Sequence, residues 1–473
     1  MAANCKIYTP EGYVKELLDF AGYKSGLFGK RVLENSCGTG NILVEIVQRY
    51  IKDSLERGYS VEKIKQGLSK DITGMETDPA ACRKCRKRLE HVASRLGVKG
   101  VSWNIIESDA LRYSKYKYDY ILGNPPYITY HDLDQKTREY AKKHFETCKK
   151  GRFDYCYAFI EKGIKSLKSN GVLAYILPNS ILKNVWAENL RNYIQPYVQQ
   201  IIDLRNQGVF KDVTLSPIIL VAQKKEYGMN PFVTCSCANE AINYSVERGS
   251  LLNHSWTFGG NIQRSATAER RFGDYFRVSS SVATLLNEAF LIEDYEEVDQ
   301  QFIRVKEHLV ERSATRPAVS TKSQQYHKHP MIIFPYAYDK DDHLLRYTEE
   351  KFAGEFPHAL QYLNLFRQKL NDRSTDKNAK WFEYGRSQAL RHLNREKIVM
   401  STIVSRNFQI YLAPTEAVPY AGLYIVAKGD MPLAQAQNIL EHDDFKRYAE
   451  QHGVVTAKDS YRISSKIVEA YFF

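Results

Sequence analysis

The stretch Arg31-Val32-Leu33-Glu34-Asn35-Ser36-Cys37-Gly38-Thr39-Gly40 decides the fold. Its first four residues read as a short strand. A helical segment follows from Asn41 to about Arg57, with Ile42, Leu43, Ile46 and Val47 at helical spacing. Strand, glycine turn and helix make the first unit of a doubly wound α/β sheet. Gly38 and Gly40 let a ligand approach the backbone closely. The third glycine of a full dinucleotide fingerprint is missing, and a lone Gly-Thr-Gly also suits a tight structural turn.

Outward from this turn, three more strand ends carry chemistry. A second strand, Asp71 to Met75, ends at Glu76, where a carboxylate can bind both hydroxyls of a ribose. A third, Val101 to Ile106, leads to Ser108-Asp109-Ala110, and Asp109 can accept a hydrogen bond from an adenine amino group. Singly, either acid reads as a solvated strand-end charge. A fourth strand, Tyr118 to Leu122, delivers Asn124-Pro125-Pro126-Tyr127 at its carboxyl end, where open α/β sheets bind ligands.

The Asn-Pro-Pro-Tyr run suits methylation of a planar amino group. Conjugation delocalises the lone pair of such an amine and makes it a poor nucleophile. The Asn124 side-chain oxygen and the Pro125 carbonyl can accept its two N–H bonds and draw the nitrogen towards tetrahedral geometry. The proline pair stiffens the backbone and adds no N–H of its own. Tyr127 offers an aromatic face for a base. The alternative is an ordinary turn after a strand.

With these residues in order, the chain resembles the gamma-class N6-adenine DNA methyltransferases of the TaqI type, densely in its N-terminal half and loosely beyond. Tyr8-Thr9-Pro10 is similar to the family's extreme N-terminal motif, which helps hold S-adenosylmethionine. Glu34 to Gly40, including Ser36 and Cys37, resembles its glycine motif, with Asn35 where proline is usual. Glu76 matches the ribose-binding acid and Asp109, beside Ala110, the acid that meets the cofactor adenine. Asn124 to Tyr127 match the catalytic motif, and Phe210 an aromatic that packs on a base flipped out of the duplex. The implied fold is an α/β, doubly wound, Rossmann-like S-adenosylmethionine-dependent methyltransferase domain over residues 1–235. A mixed α+β target-recognition domain is implied over 236–473. The implied partner is double-stranded DNA, met by a monomer.

Composition agrees with a polyanionic partner: 67 Lys plus Arg against 55 Asp plus Glu give a formal charge of +12. The eight cysteines are scattered. Cys82 and Cys85 form a C-x-x-C inside a basic helix, with no histidine pair of zinc spacing nearby, so no metal ligand is nominated. Free thiols and a start without an apolar signal core fit a bacterial or archaeal cytoplasm. No stretch approaches a membrane span.

Polar sequence between about Tyr227 and Ser265 suggests a boundary. Beyond it, Trp381-Phe382-Glu383-Tyr384-Gly385-Arg386-Ser387-Gln388 resembles an element of related specificity domains, making Arg386 and Gln388 candidate DNA contacts; a turn held by a buried Trp is the competing reading. Lys397 to Thr402 and Gly422 to Ala427 read as strands, and Phe356 to Leu370 as a helix. The few residues before Tyr8 leave no room for a nuclease, so a separate cognate endonuclease is expected. Two alternatives stand beside this: a methyltransferase acting on RNA adenine or a protein glutamine amide, and a DNA-binding modification subunit that needs a partner for activity.

Overall fold

The computed structural model describes residues 10–113, 117–204, 217–225, 230–237, 243–251, 256, 270–405, 407–457 and 460–473. The chain divides into two compact units, one of Met1–Gly260 with Val454–Lys458 and one of Asn261–Gly453 with Asp459–Phe473.

The first unit is built on a nine-stranded sheet. Its strands are β1 (Val32–Glu34), β2 (Ile72–Glu76), β3 (Asn104–Glu107), β4 (Tyr118–Gly123), β5 (Leu167–Pro178), β6 (Val198–Asp203), β7 (Pro217–Gln223), β8 (Phe232–Cys237) and β9 (Asn243–Glu247). They lie in the order β3-β2-β1-β4-β5-β7-β6-β8-β9. Strands β1 to β5 run parallel, and β7 pairs antiparallel with both β5 and β6. The order reverses between β1 and β4, which makes their carboxyl ends the switch point where such sheets bind ligands.

Strand side chains alternate between two cores, as the period of two requires. Leu33, Ile121, Leu173 and Tyr175 face one; Val32, Leu122, Ala174 and Ile176 face the other. Helices α1 (Glu11–Phe20), α2 (Asn41–Glu56), α3 (Val61–Asp71) and α4 (Pro79–Arg95) cover the second face through Leu17, Ile46, Leu68 and Leu89. On the first face, α5 (Gln135–His144) contributes Ala141 and α6 (Cys156–Ser166) Ile160 and Ile164. Both faces are thus covered, as a mainly parallel sheet demands.

The four expected strands before the catalytic motif are present within one to three residues of their sequence bounds. The two units divide at Gly260, inside the polar stretch from about Tyr227 to Ser265 but later than 235. The polar region after residue 227 holds β8 and β9, which extend the sheet, with Val233, Cys235, Leu251 and Trp256 buried in its core. The first unit therefore runs on to Gly260 rather than ending at 235.

The second unit is mixed α+β. One four-stranded sheet joins Phe276–Ser280, Leu423–Ala427, Lys397–Met400 and Ile410–Ala413, all antiparallel. A second sheet contains Thr315–Val319 and Met331–Ile333. The expected helix from Phe356 is broken into Pro357–Asn364 and Arg367–Asn371, with Leu365 exposed at the break. Lys397 is fully buried, and its ammonium donates to the carbonyls of Pro414, Thr415 and Ala417 at 2.8–2.9 Å.

Candidate active site

Pairing of β1 with β4 sets the turn after β1 beside the tip of β4. Gly40 has φ +86°, and a side chain there would put its Cβ 2.7 Å from Cys85 Sγ on α4, so the turn must be glycine at this point. Gly38 also has positive φ, but its Cβ direction meets nothing within 4 Å among the described residues: that face of the turn is open. Glu34 is buried and accepts the Leu43 N–H of α2 at 3.1 Å, which occupies one of the helix's orphan donors. Burial pushes its carboxyl well above the usual range. Cys37 is buried too; its N–H donates to the Met75 carbonyl, and its thiol, hydrogen-bonded to Cys85 and desolvated, is pushed up.

Glu76 ties the turn to the tip of β2. One carboxylate oxygen accepts the N–H of Thr77 and of Asp78; the other accepts the Gly38 N–H at 3.0 Å. That second oxygen carries this single described donor and keeps capacity for another. The Ser108 N–H donates to the Glu76 carbonyl, joining the tips of β2 and β3. Asp109 accepts from the Leu111 N–H at 2.9 Å and pairs with Arg112 at 3.2 Å, while Ala110 is buried.

The turn also reaches the Asn-Pro-Pro-Tyr segment. Ser36 Oγ donates to the Asn124 main-chain carbonyl at 3.1 Å. Asn35 Nδ2 donates to the Tyr175 hydroxyl on β5 at 2.6 Å, and its Oδ1 is buried with no hydrogen-bond partner among the described residues. The Tyr127 hydroxyl lies on the Asn124 side-chain oxygen and donates to the Ile176 carbonyl of β5 at 2.7 Å. Pro125 is buried and Pro126 half-buried. Ser36 as an anchor of Asn124 and Ile176 as an anchor of Tyr127 were invisible in the sequence, because they depend on strand order.

Asp154 is a further residue that sequence reasoning passed over, although Phe153-Asp154-Tyr155 marks a helix start. It accepts the Cys156 N–H at 3.0 Å at the head of α6. Burial raises its carboxyl to about 6. Tyr8, Thr9 and Phe210 lie outside the described residues, while Pro10 stands exposed immediately before α1. In the second unit, the segment from Trp381 is a packing knot. Phe382, Glu383 and Tyr384 are buried, Glu383 takes Arg346, and the Tyr384 hydroxyl donates to the Ile333 carbonyl. Arg386 pairs with Asp376 at 3.2 Å, and Gln388 is exposed. Cys82 and Cys85 are free thiols on the buried face of α4.

Residues 48–210 match the family model of the Eco57I restriction-modification methylase. The chain is similar to Type II methyltransferases. It is 29% identical over 238 residues to the Type II methyltransferase M.BstVI of Geobacillus stearothermophilus, covering 47% of this chain and 42% of that one. It is 22% identical over 497 residues to the Type II restriction enzyme and methyltransferase RM.Eco57I of Escherichia coli, covering 85% of this chain and 49% of that one. The chain thus spans less than half the length of these two relatives. Among solved structures, its fold is similar to that of the Type IIL restriction-modification enzyme MmeI in complex with DNA. The TM-score is 0.57 at 13% identity, over 97% of this chain and 64% of that one. The DrdV–DNA complex gives a TM-score of 0.53 at 11% identity, over 89% of this chain and 49% of that one. No helix among the described residues is long and apolar enough to cross a membrane.

The residues at the switch point fit S-adenosylmethionine. Gly38 leaves its side of the turn open, Glu76 retains an acceptor for a ribose hydroxyl, and Asn35 Oδ1 is an orphaned buried acceptor at the same turn.

Proposed function

We propose that the chain is a site-specific DNA methyltransferase acting on N6 of an adenine turned out of duplex DNA, the protective partner of a restriction system. One observation carries this reading: the glycine turn and the Asn-Pro-Pro-Tyr segment meet at the strand-order switch, joined by the Ser36–Asn124 hydrogen bond.

S-adenosylmethionine is the cofactor, and when bound it supplies an electrophilic methyl group on sulfonium. Glu76 would hold the ribose hydroxyls and Asp109 the adenine amino group, and the Tyr8-Thr9-Pro10 motif would help hold the cofactor. Glu34 shapes the turn through α2 rather than by reaching out of the core. Asn124 and the Pro125 carbonyl accept the two N–H bonds of the target amine and localise its lone pair. The Tyr127 phenol has one proton and two acceptor neighbours. With the Asn124 amide turned so that Nδ2 faces it, Nδ2 donates to the phenol oxygen and the phenol donates to Ile176. Oδ1 then accepts from the substrate amine. The Tyr127 ring and Phe210 stack on the extruded base and offset the few kcal/mol of flipping. No general base precedes attack, because the positive charge on nitrogen develops only as the bond forms.

The second unit is the target-recognition domain in this reading. Gln388 reaches bases from an exposed position, while Arg386 first has to leave Asp376. The enzyme acts as a monomer beside a separate endonuclease.

Replacing Asn124 with Ala tests the assignment. Single-turnover methylation should fall by about 100-fold or more, while cofactor affinity measured by calorimetry stays within a few-fold. Near-normal methylation by this variant defeats the reading.

A further inference from the structure

Immediately beyond the catalytic motif, the first unit carries a cluster of cations. Tyr130 sits three residues after Tyr127, and its ring packs edge-on to Phe153, with centroids 5.4 Å apart. The segment is pinned to the start of α6 by the Tyr155 N–H donating to the Ile128 carbonyl at 2.9 Å. Around this fixed ring, Lys142 of α5 donates to the Tyr130 hydroxyl at 3.0 Å and lies 5.0 Å from the ring centroid, with the Arg138 guanidinium at 5.2 Å. Arg152 lies close enough to join both in drawing the Tyr130 phenol below its usual pKa. No carboxylate pairs with Arg138, Lys142 or Arg152 among the described residues, although the chain pairs many of its exposed cations, such as Lys149 with Glu146. Arg138 and Lys142, half-exposed, held on one helix against an aromatic ring and in no recorded ion pair among the described residues, are suited to a fixed row of anions.

The position sets the scale. Tyr130 is six residues from Asn124, so the cluster lies within about 20 Å of the catalytic amide along the backbone. Phosphates recur about every 3.4 Å of helix axis along each DNA strand, so the nearest few on either side of an extruded nucleotide fall inside that reach.

We propose that Arg138 and Lys142 form a phosphate clamp on the catalytic unit that grips the DNA backbone beside the target base. The inference rests on duplex DNA being the substrate. The clamp positions without reading sequence, leaving discrimination to the second unit.

The test compares the full-length protein with an Arg138→Ala, Lys142→Ala double variant and with Lys84→Ala, Lys87→Ala. The latter removes the same charge from exposed positions on α4. Binding to a duplex is measured from 50 to 200 mM salt, with cofactor affinity and methylation kinetics alongside. The clamp predicts that the slope of log K against log salt shrinks by about 2 for the first variant. KM for DNA should rise while kcat and cofactor affinity hold, with no comparable change in the α4 variant. An Arg138→Lys, Lys142→Arg protein should recover most of the slope. Equal slopes for the wild type and the first variant, or equal losses in both double variants, overturn the clamp while leaving the methylation reading intact. A wild-type protein that neither binds nor methylates duplex DNA overturns the methylation reading instead.

Discussion

At the residue scale, Tyr127 does more than offer a face. Its hydroxyl touches the Asn124 side chain and the Ile176 carbonyl, so it fixes which way the amide points. The sequence suggested stacking alone, because a hydroxyl's partners on another strand cannot be read from a tetrapeptide. Two losses should therefore separate. Tyr127→Phe keeps the ring and should lower kcat by roughly 2- to 10-fold, the worth of one hydrogen bond. Tyr127→Ala removes the stacking surface as well, a further roughly 1–3 kcal/mol, and should reach about 100-fold. Single-turnover rates on one duplex check both; equal losses argue against stacking, and an unchanged Phe variant argues against orientation of the amide.

At the scale of elements, the legible parts of the site were those held in contiguous sequence. Strand, turn and helix from Val32 to Glu56 and the acid at the end of β2 stand where their pattern puts them. The role of Glu34 was not legible, since the acceptor of the Leu43 N–H is known only once α2 folds back on β1. Nor was the raised pKa of Asp154, which comes from burial at the head of α6. Its carboxyl titrates near 6 when folded against about 3.9 when unfolded. The folded state then holds more protons between these values, so stability falls as pH rises from about 4 to 6 and the loss is complete above. Asp154→Asn removes this dependence. The melting temperature of the wild type relative to that variant should fall across this window and be flat from pH 7 to 8. A difference that does not change between pH 4 and 7 contradicts the assignment.

At the scale of the whole molecule, the division into two units was legible as a polar stretch near the split, while the exact end of the first unit at Gly260 was not. Motif order located cofactor and catalytic chemistry in the N-terminal half, and the sheet order joins those motifs at one switch point. The polar stretch after residue 227 was read as a boundary because its strands lie at the sheet's far edge, where long apolar runs are not required. Strands β8 and β9 carry the first unit to Gly260. In the second unit, Trp381 to Tyr384 reads like a contact element but serves largely as core, since aromatic and charged residues can satisfy one another inside a fold. In the proposed reading, base contact from this segment falls to exposed Gln388 rather than to its buried aromatic part. The central claim concerns the whole chain: an amine on adenine in duplex DNA receives the methyl group. Incubating the purified protein with methyl-labelled S-adenosylmethionine and duplex DNA, then digesting to nucleosides, tests it most directly. The account predicts label in N6-methyldeoxyadenosine alone; label in a modified cytosine, or unlabelled DNA beside labelled RNA or protein, contradicts it.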